Sequence, residues 1–131
     1  MRAIVVAITA MSLAVLASSP ASEAATDRGI TCYTRAVNTG DAGDIAACFT
    51  RGALVVDVGR RIAGRPAIRA WADGEVVGGR ITVLRTVARN ARLSTTTLLV
   101  RFAPGGSGGF RAHYRFTTSR GLITRLVLTY A

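Results

Sequence analysis

The sequence predicts an α+β domain, with helices gathered towards the N-terminus and long strands filling the C-terminal half. Three observations carry this. Between Asp27 and Trp71, apolar side chains recur at helical spacing behind capping residues. After Ile81 the chain becomes runs of Thr, Val and Leu broken by glycine-rich turns. From Phe110 to Thr117 it alternates strictly, with Phe110, Ala112, Tyr114 and Phe116 on one face and Arg111, His113, Arg115 and Thr117 on the other. A curved antiparallel sheet wrapped over three N-terminal helices buries all of these faces.

The first residues stand apart. Arg2 is followed by an apolar run from Ile4 to Ala17, then by the small-residue cluster Ser18-Ser19-Pro20-Ala21-Ser22-Glu23-Ala24. A basic start, an apolar run and a small-residue site make up a secretory leader. The run is shorter than the roughly 20 residues a bilayer span needs. Cleavage is expected after Ala24, with Ala21 and Ala25 as neighbouring alternatives. It leaves one domain, residues 25–131, that is secreted and has no stable membrane insertion. No Cys borders the site, so no lipid anchor is expected there.

Asp27 is the expected cap of a first helix running to Asn38, with Ile30, Tyr33, Thr34 and Val37 on one stripe. Gly40 ends it, and Asp41 caps a second, short helix with Ile45, Cys48 and Phe49 as its apolar side. Cys32 and Cys48 lie one on each helix. An even pair in an exported chain predicts a disulfide, two buried thiols being the alternative. A strand from Ala53 to Asp57 returns through Arg60-Arg61-Ile62. Gly64-Arg65-Pro66 opens a third helix that buries Ile68, Trp71 and Ala72 and frays at Asp73-Gly74. Long strands follow from Ile81 to Ala91 and from Leu93 to Ala103. The turn from Pro104 to Gly109 reads as a hairpin tip, because no Lys and no helix follow it as a phosphate cradle requires. The alternating strand comes next, and Leu122 to Tyr130 is the last one.

All seventeen basic residues are arginine, and the net charge is +10. The arginines are scattered through every element, which reads as a solvated surface. Export and the lack of a recognisable module argue against nucleic acid as a partner. One His and two pairable Cys are a poor metal-ligand set, and no cofactor is expected.

Three stretches resemble a known superfamily. The run from Tyr33 to Asp41, followed by Ile45-Ala46-Ala47-Cys48-Phe49, resembles the opening of nuclear-transport-factor-2-like (NTF2-like) proteins. Gly64-Arg65-Pro66-Ala67-Ile68-Arg69-Ala70-Trp71 resembles their third-helix motif. Tyr114-Arg115-Phe116 with Gly121-Leu122-Ile123 resembles their last hairpin. The nearest group is the polyketide-cyclase-like and ketosteroid-isomerase-like, or SnoaL-like, members. The resemblance spans nearly the whole chain after the leader and implies a cone-shaped fold. The superfamily includes isomerases, cyclases, epoxide hydrolases, dehydratases and non-catalytic binding modules, so it implies no single activity.

Isomerase-like members use a Tyr on the first helix, an Asp base after the first strand and a protonated acid on a late strand. The resemblance gives Tyr33 the first place and Asp57 the second, at the spacing expected in that group. Asp57 would move a proton next to a carbonyl while Tyr33 donates to the developing oxyanion. The late-strand acid falls at Ala112. His113 beside it points to the opposite face, and no acid lies beyond Glu75. The implied pocket is lined by Tyr33, Phe49, Asp57, Trp71, Phe102, Tyr114 and Phe116. It would hold a small apolar ligand with an incomplete acid–base set. An isomerase, cyclase or dehydratase using Asp57 and Tyr33 is the alternative, and a non-catalytic assembly subunit is the third reading. The plain readings stand beside these: Tyr33 and Trp71 as core residues, and Asp57 as a turn cap or partner of Arg60 or Arg61. The resemblance also implies a homodimer through the outer sheet face, near Arg111, His113, Arg115 and Arg125.

Overall fold

A computed structural model describes residues 20–131. Helices α1 (Pro20–Thr39) and α2 (Ala42–Ala47) lead into strands β1 (Phe49–Asp57) and β2 (Arg60–Ala63). Helix α3 (Arg65–Trp71) follows and continues as a wider π-type turn (Ala72–Val76). Strand β3 (Arg80–Asn90), a short 3-10 turn (Ala91–Leu93), β4 (Thr95–Ala103), β5 (Phe110–Ser119) and β6 (Leu122–Tyr130) complete the chain.

One six-stranded sheet runs in the order β2-β1-β6-β5-β4-β3. Strands joined by tight turns pair antiparallel, as such turns require. The exception is β1 with β6, which pair parallel. These two meet from distant parts of the chain, so no hairpin dictates their direction. The sheet is therefore mixed and open, and the expected all-antiparallel pattern holds only outside this pair. The helices pack on one face of it, and Phe49, Ile45, Val55, Ile68, Phe116, Ile123 and Leu126 are fully enclosed between the layers.

Several boundaries differ from the sequence reading for local reasons. Most of the leader lies outside the described residues. The expected cleavage site falls within α1, because the alanines after Pro20 favour helix and carry it upstream. Asp27 is thus an interior helix residue and not a cap; its carboxylate meets Arg89 at 3.2 Å. Asp41 does cap α2, accepting a hydrogen bond from the Asp44 amide at 2.8 Å. Cys48 closes that helix, so Phe49 belongs to β1 and not to the helix stripe. Asp73-Gly74 do not fray: the Val77 amide reaches back to Ala72 O at 2.8 Å. Strand β4 starts at Thr95, because the Asn90 side chain accepts from the Leu93 amide and winds the 3-10 turn.

Two long-range ties fix α1. The Asn38 amide copies a strand neighbour for Ile81, donating to its carbonyl at 3.0 Å and accepting from its amide at 2.8 Å. The Cys32–Cys48 disulfide is formed, with Cα atoms 5.7 Å apart. Cys48 is fully buried, so the bond anchors α1 to the point where α2 hands over to β1.

Candidate functional site

Between α3 with its π-type turn and the ends of β1, β4, β5 and β6 lies a cavity of about 200 Å³. Its walls are Trp71, Val76, Phe102, Ala112, Tyr114 and Leu128, with Val58, Pro104, Phe110, Thr129 and Tyr130 around them. Asp57 and Glu75 are its acidic groups. Strand β1 stops there because Val58 and Gly59 both take positive φ, 48° and 84°, as a two-residue hairpin turn requires.

The Asp57 carboxylate is held from two sides. Trp71 Nε1 donates to Oδ2 at 3.1 Å, and Arg60 Nη2 donates to the same oxygen at 2.7 Å. Among the described residues no donor reaches Oδ1. Arg60 also donates to both Glu75 oxygens, at 2.8 and 2.7 Å, so one guanidinium bridges two carboxylates. Its hydrogen bonds to Glu75 and then to Asp57 raise its pKa further, and it stays cationic.

Two phenols stand behind this carboxylate. Burial raises the Tyr114 pKa, and the nearby Asp57 charge adds to it. Burial raises that of Tyr33 well above the usual tyrosine range, with Tyr114 and Asp57 contributing. Both side chains are therefore neutral hydrogen-bond donors at ordinary pH. Tyr33 packs edge-on against Phe49, Tyr114 and Phe116, with ring centroids 6.0, 6.3 and 5.6 Å away.

Of the residues singled out from sequence, Asp57, Trp71, Phe102 and Tyr114 meet on the cavity wall. Tyr33, Phe49 and Phe116 do not line it. They form an enclosed aromatic cluster behind Tyr114, at 1%, 0% and 0% exposure. Ala112 is on the wall and presents a methyl group there. His113 lies on the opposite sheet face, beside Val87, Thr97, Arg115, Val127 and Thr129, as strand alternation requires. Sequence reasoning missed Glu75, Phe110 and Tyr130. Glu75 follows Trp71 at i+4, a spacing that places both on the same side of a continuing helix. Among the described residues no three His, Cys, Asp or Glu side chains cluster as metal ligands, and no helix is long and apolar enough to cross a membrane.

Residues 20–126 match the SnoaL-like domain family. No curated protein matches the sequence. Among solved structures, RV0760c from Mycobacterium tuberculosis superposes with a TM-score of 0.70 at 16% identity, over 82% of this chain and 91% of that one. The Delta 5-3-ketosteroid isomerase from Mycobacterium sp. gives 0.68 at 17% identity, over 82% and 93%. A putative polyketide cyclase from Sinorhizobium meliloti gives 0.65 at 20%, over 80% and 98%. At these identities the solved structures speak for the fold alone, while the family match runs from the first described helix into the last strand. The chain belongs to the SnoaL-like domain family, with an NTF2-like fold.

Proposed function

We propose that this protein is an exported domain that binds a small, largely apolar ligand in the cavity beside Asp57. The observation that carries the reading is the composition of that wall. Trp71, Phe102 and Tyr114 supply aromatic surface, the Arg60 guanidinium holds both acids of the wall, Asp57 and Glu75, and Ala112 stands where the resemblance puts the late-strand acid. Pockets of this kind orient an apolar body with few polar groups. A volume of about 200 Å³ suits a ligand below drug size. Export is supported by the leader pattern and by the Cys32–Cys48 bond, which persists in oxidising compartments.

Trp71 is the only tryptophan in the chain and sits on the cavity wall, so its fluorescence reports occupancy directly. Titration of the exported protein with a panel of small apolar ligands should give a saturable change, matched by native mass spectrometry. A panel that leaves both signals untouched removes this reading.

One observation favours an enzyme as the second reading. Both hydrogen bonds to Asp57 fall on Oδ2, which leaves Oδ1 to accept a proton near the neutral Tyr114 donor. Asp57→Asn should then abolish any turnover found. Turnover that survives it undiminished excludes Asp57 as the base.

A further inference from the structure

Strand β3 is an outer strand of the sheet, and Ile81, which α1 covers through Asn38, is its only buried residue. Large apolar side chains are exposed along it and just beyond: Val83 at 46%, Leu84 at 40%, Val87 at 42% and Leu93 at 65%. The other exposed large apolar residues among those described, Val58, Phe110 and Tyr130, surround the cavity and belong to that site. The β3 group has no such explanation. Exposed arginines at 80, 85, 89 and 92 interleave with it.

The adjoining outer sheet face has charge of one sign. Arg101 on β4 stands directly opposite Arg111 on β5, a pairing that costs stability. Arg115 and Arg125 continue the face, and the sequence holds no acid after Glu75 to offset them. Ion pairs among the described residues involve only Arg60 and Arg89. A surface made only for water mixes both signs and hides aliphatic side chains. A second copy on a two-fold axis would bring arginine against arginine unless the two faces were offset.

We propose that β3 and this outer face dock the protein on an anionic phospholipid membrane. Arg85 and Arg115 contact lipid phosphates, and Val87 and Leu93 enter the headgroup layer. Arginine suits such a surface: its planar donors grip phosphate in pairs while its stem lies along apolar groups. A shallow depression of about 250 Å³, bounded by Val87, Thr97, His113, Arg115, Val127 and Thr129, seats one headgroup. A soluble polyanion would satisfy the arginines but gives the aliphatic row no role, and this favours lipid. The inference does not depend on what the cavity binds.

The test is co-sedimentation of the exported protein with vesicles of phosphatidylcholine alone and of an equimolar mixture with phosphatidylglycerol. Binding should require phosphatidylglycerol and weaken as salt rises. Arg85→Ala and Arg115→Ala should each reduce it about fivefold. Leu93→Ser and Val87→Ser should reduce vesicle binding several-fold while leaving binding to inorganic polyphosphate unchanged. All four positions are exposed, and a melting temperature for each variant separates lost docking from lost fold. No binding to the mixed vesicles overturns the proposal. So does vesicle binding indifferent to the serine variants, which marks a general polyanion site. A stable dimer that Arg115→Glu dissociates also overturns it, because a second copy then covers the face.

Discussion

Breaking the Cys32–Cys48 bond should cost stability without touching the cavity. The two residues are 16 apart in sequence, and the chain-entropy model gives about 3 kcal/mol for releasing a loop of that size. For a domain slightly above 100 residues, each kcal/mol moves the melting temperature by roughly 4 °C, so the drop is about 12 °C. Cys32→Ser is the cleaner perturbation, because Cys32 is exposed and its replacement leaves no void. Cys48→Ala would add the penalty of a hole, since Cys48 is fully buried beside Phe49. Neither cysteine is on the cavity wall, so ligand affinity read from Trp71 fluorescence should hold at temperatures where the variant is folded. Differential scanning fluorimetry with and without a reductant closes the argument. The reductant should lower the wild-type transition to that of Cys32→Ser and leave the variant unmoved. A shift of a degree or two, or quantitative alkylation of the untreated native protein, would refute the reasoning.

Other consequences of the packing can be measured separately. A Cβ on Gly79 would lie 2.6 Å from two Phe102 ring atoms and 3.0 Å from Val76 O. Gly79→Ala should therefore destabilise by about 1–3 kcal/mol in chemical denaturation and weaken ligand binding, because Phe102 must give way on the cavity wall. Trp71→Phe removes the donor to Asp57 Oδ2 but keeps the aromatic surface; a loss of about 1.5 kcal/mol is expected by the same assay. The raised pKa values of Tyr33 and Tyr114 mean that the folded state prefers the protonated phenols. Their contribution is complete below the unfolded tyrosine pKa of about 10 and is lost as pH rises above it. Tyrosinate absorbance should show both ionising only as the fold is lost. Ionisation of either one with native circular dichroism intact would contradict their burial.

What the sequence makes legible follows from how locally each feature is encoded. The alternation from Phe110 to Thr117 reads out β5 face by face, because a strand's side chains have a fixed period of two. That period alone places Ala112 with Tyr114 towards the helices and sends His113 outside. The two cysteines and the short α1–α2 connection announce the disulfide in the same way. Helix and strand ends are less legible because they depend on single hydrogen bonds. The Asn90 side chain on the Leu93 amide, for instance, delays β4 by two residues relative to the apolar pattern. The parallel β1–β6 pair has no local signature at all, since it is made by strands far apart in the chain.

The candidate site is where local reading and depth separate. The helical stripe correctly turns Tyr33 inwards, but a stripe gives direction and not distance from the surface. Tyr114 reaches the same region from β5 and fills the space between Tyr33 and the cavity. Tyr33 then becomes the floor of an aromatic cluster, and Tyr114 takes the wall position beside Asp57. Asp57 comes from the resemblance, and its position is set locally, by the end of β1 at the positive-φ turn Val58-Gly59. Its surroundings are not: Trp71 comes from the end of α3, and only the folded π-type turn brings Glu75 onto Arg60. The two cavity carboxylates, Asp57 and Glu75, thus meet on one guanidinium, and the proposal that this wall holds a ligand rests on that arrangement together with its aromatic surface.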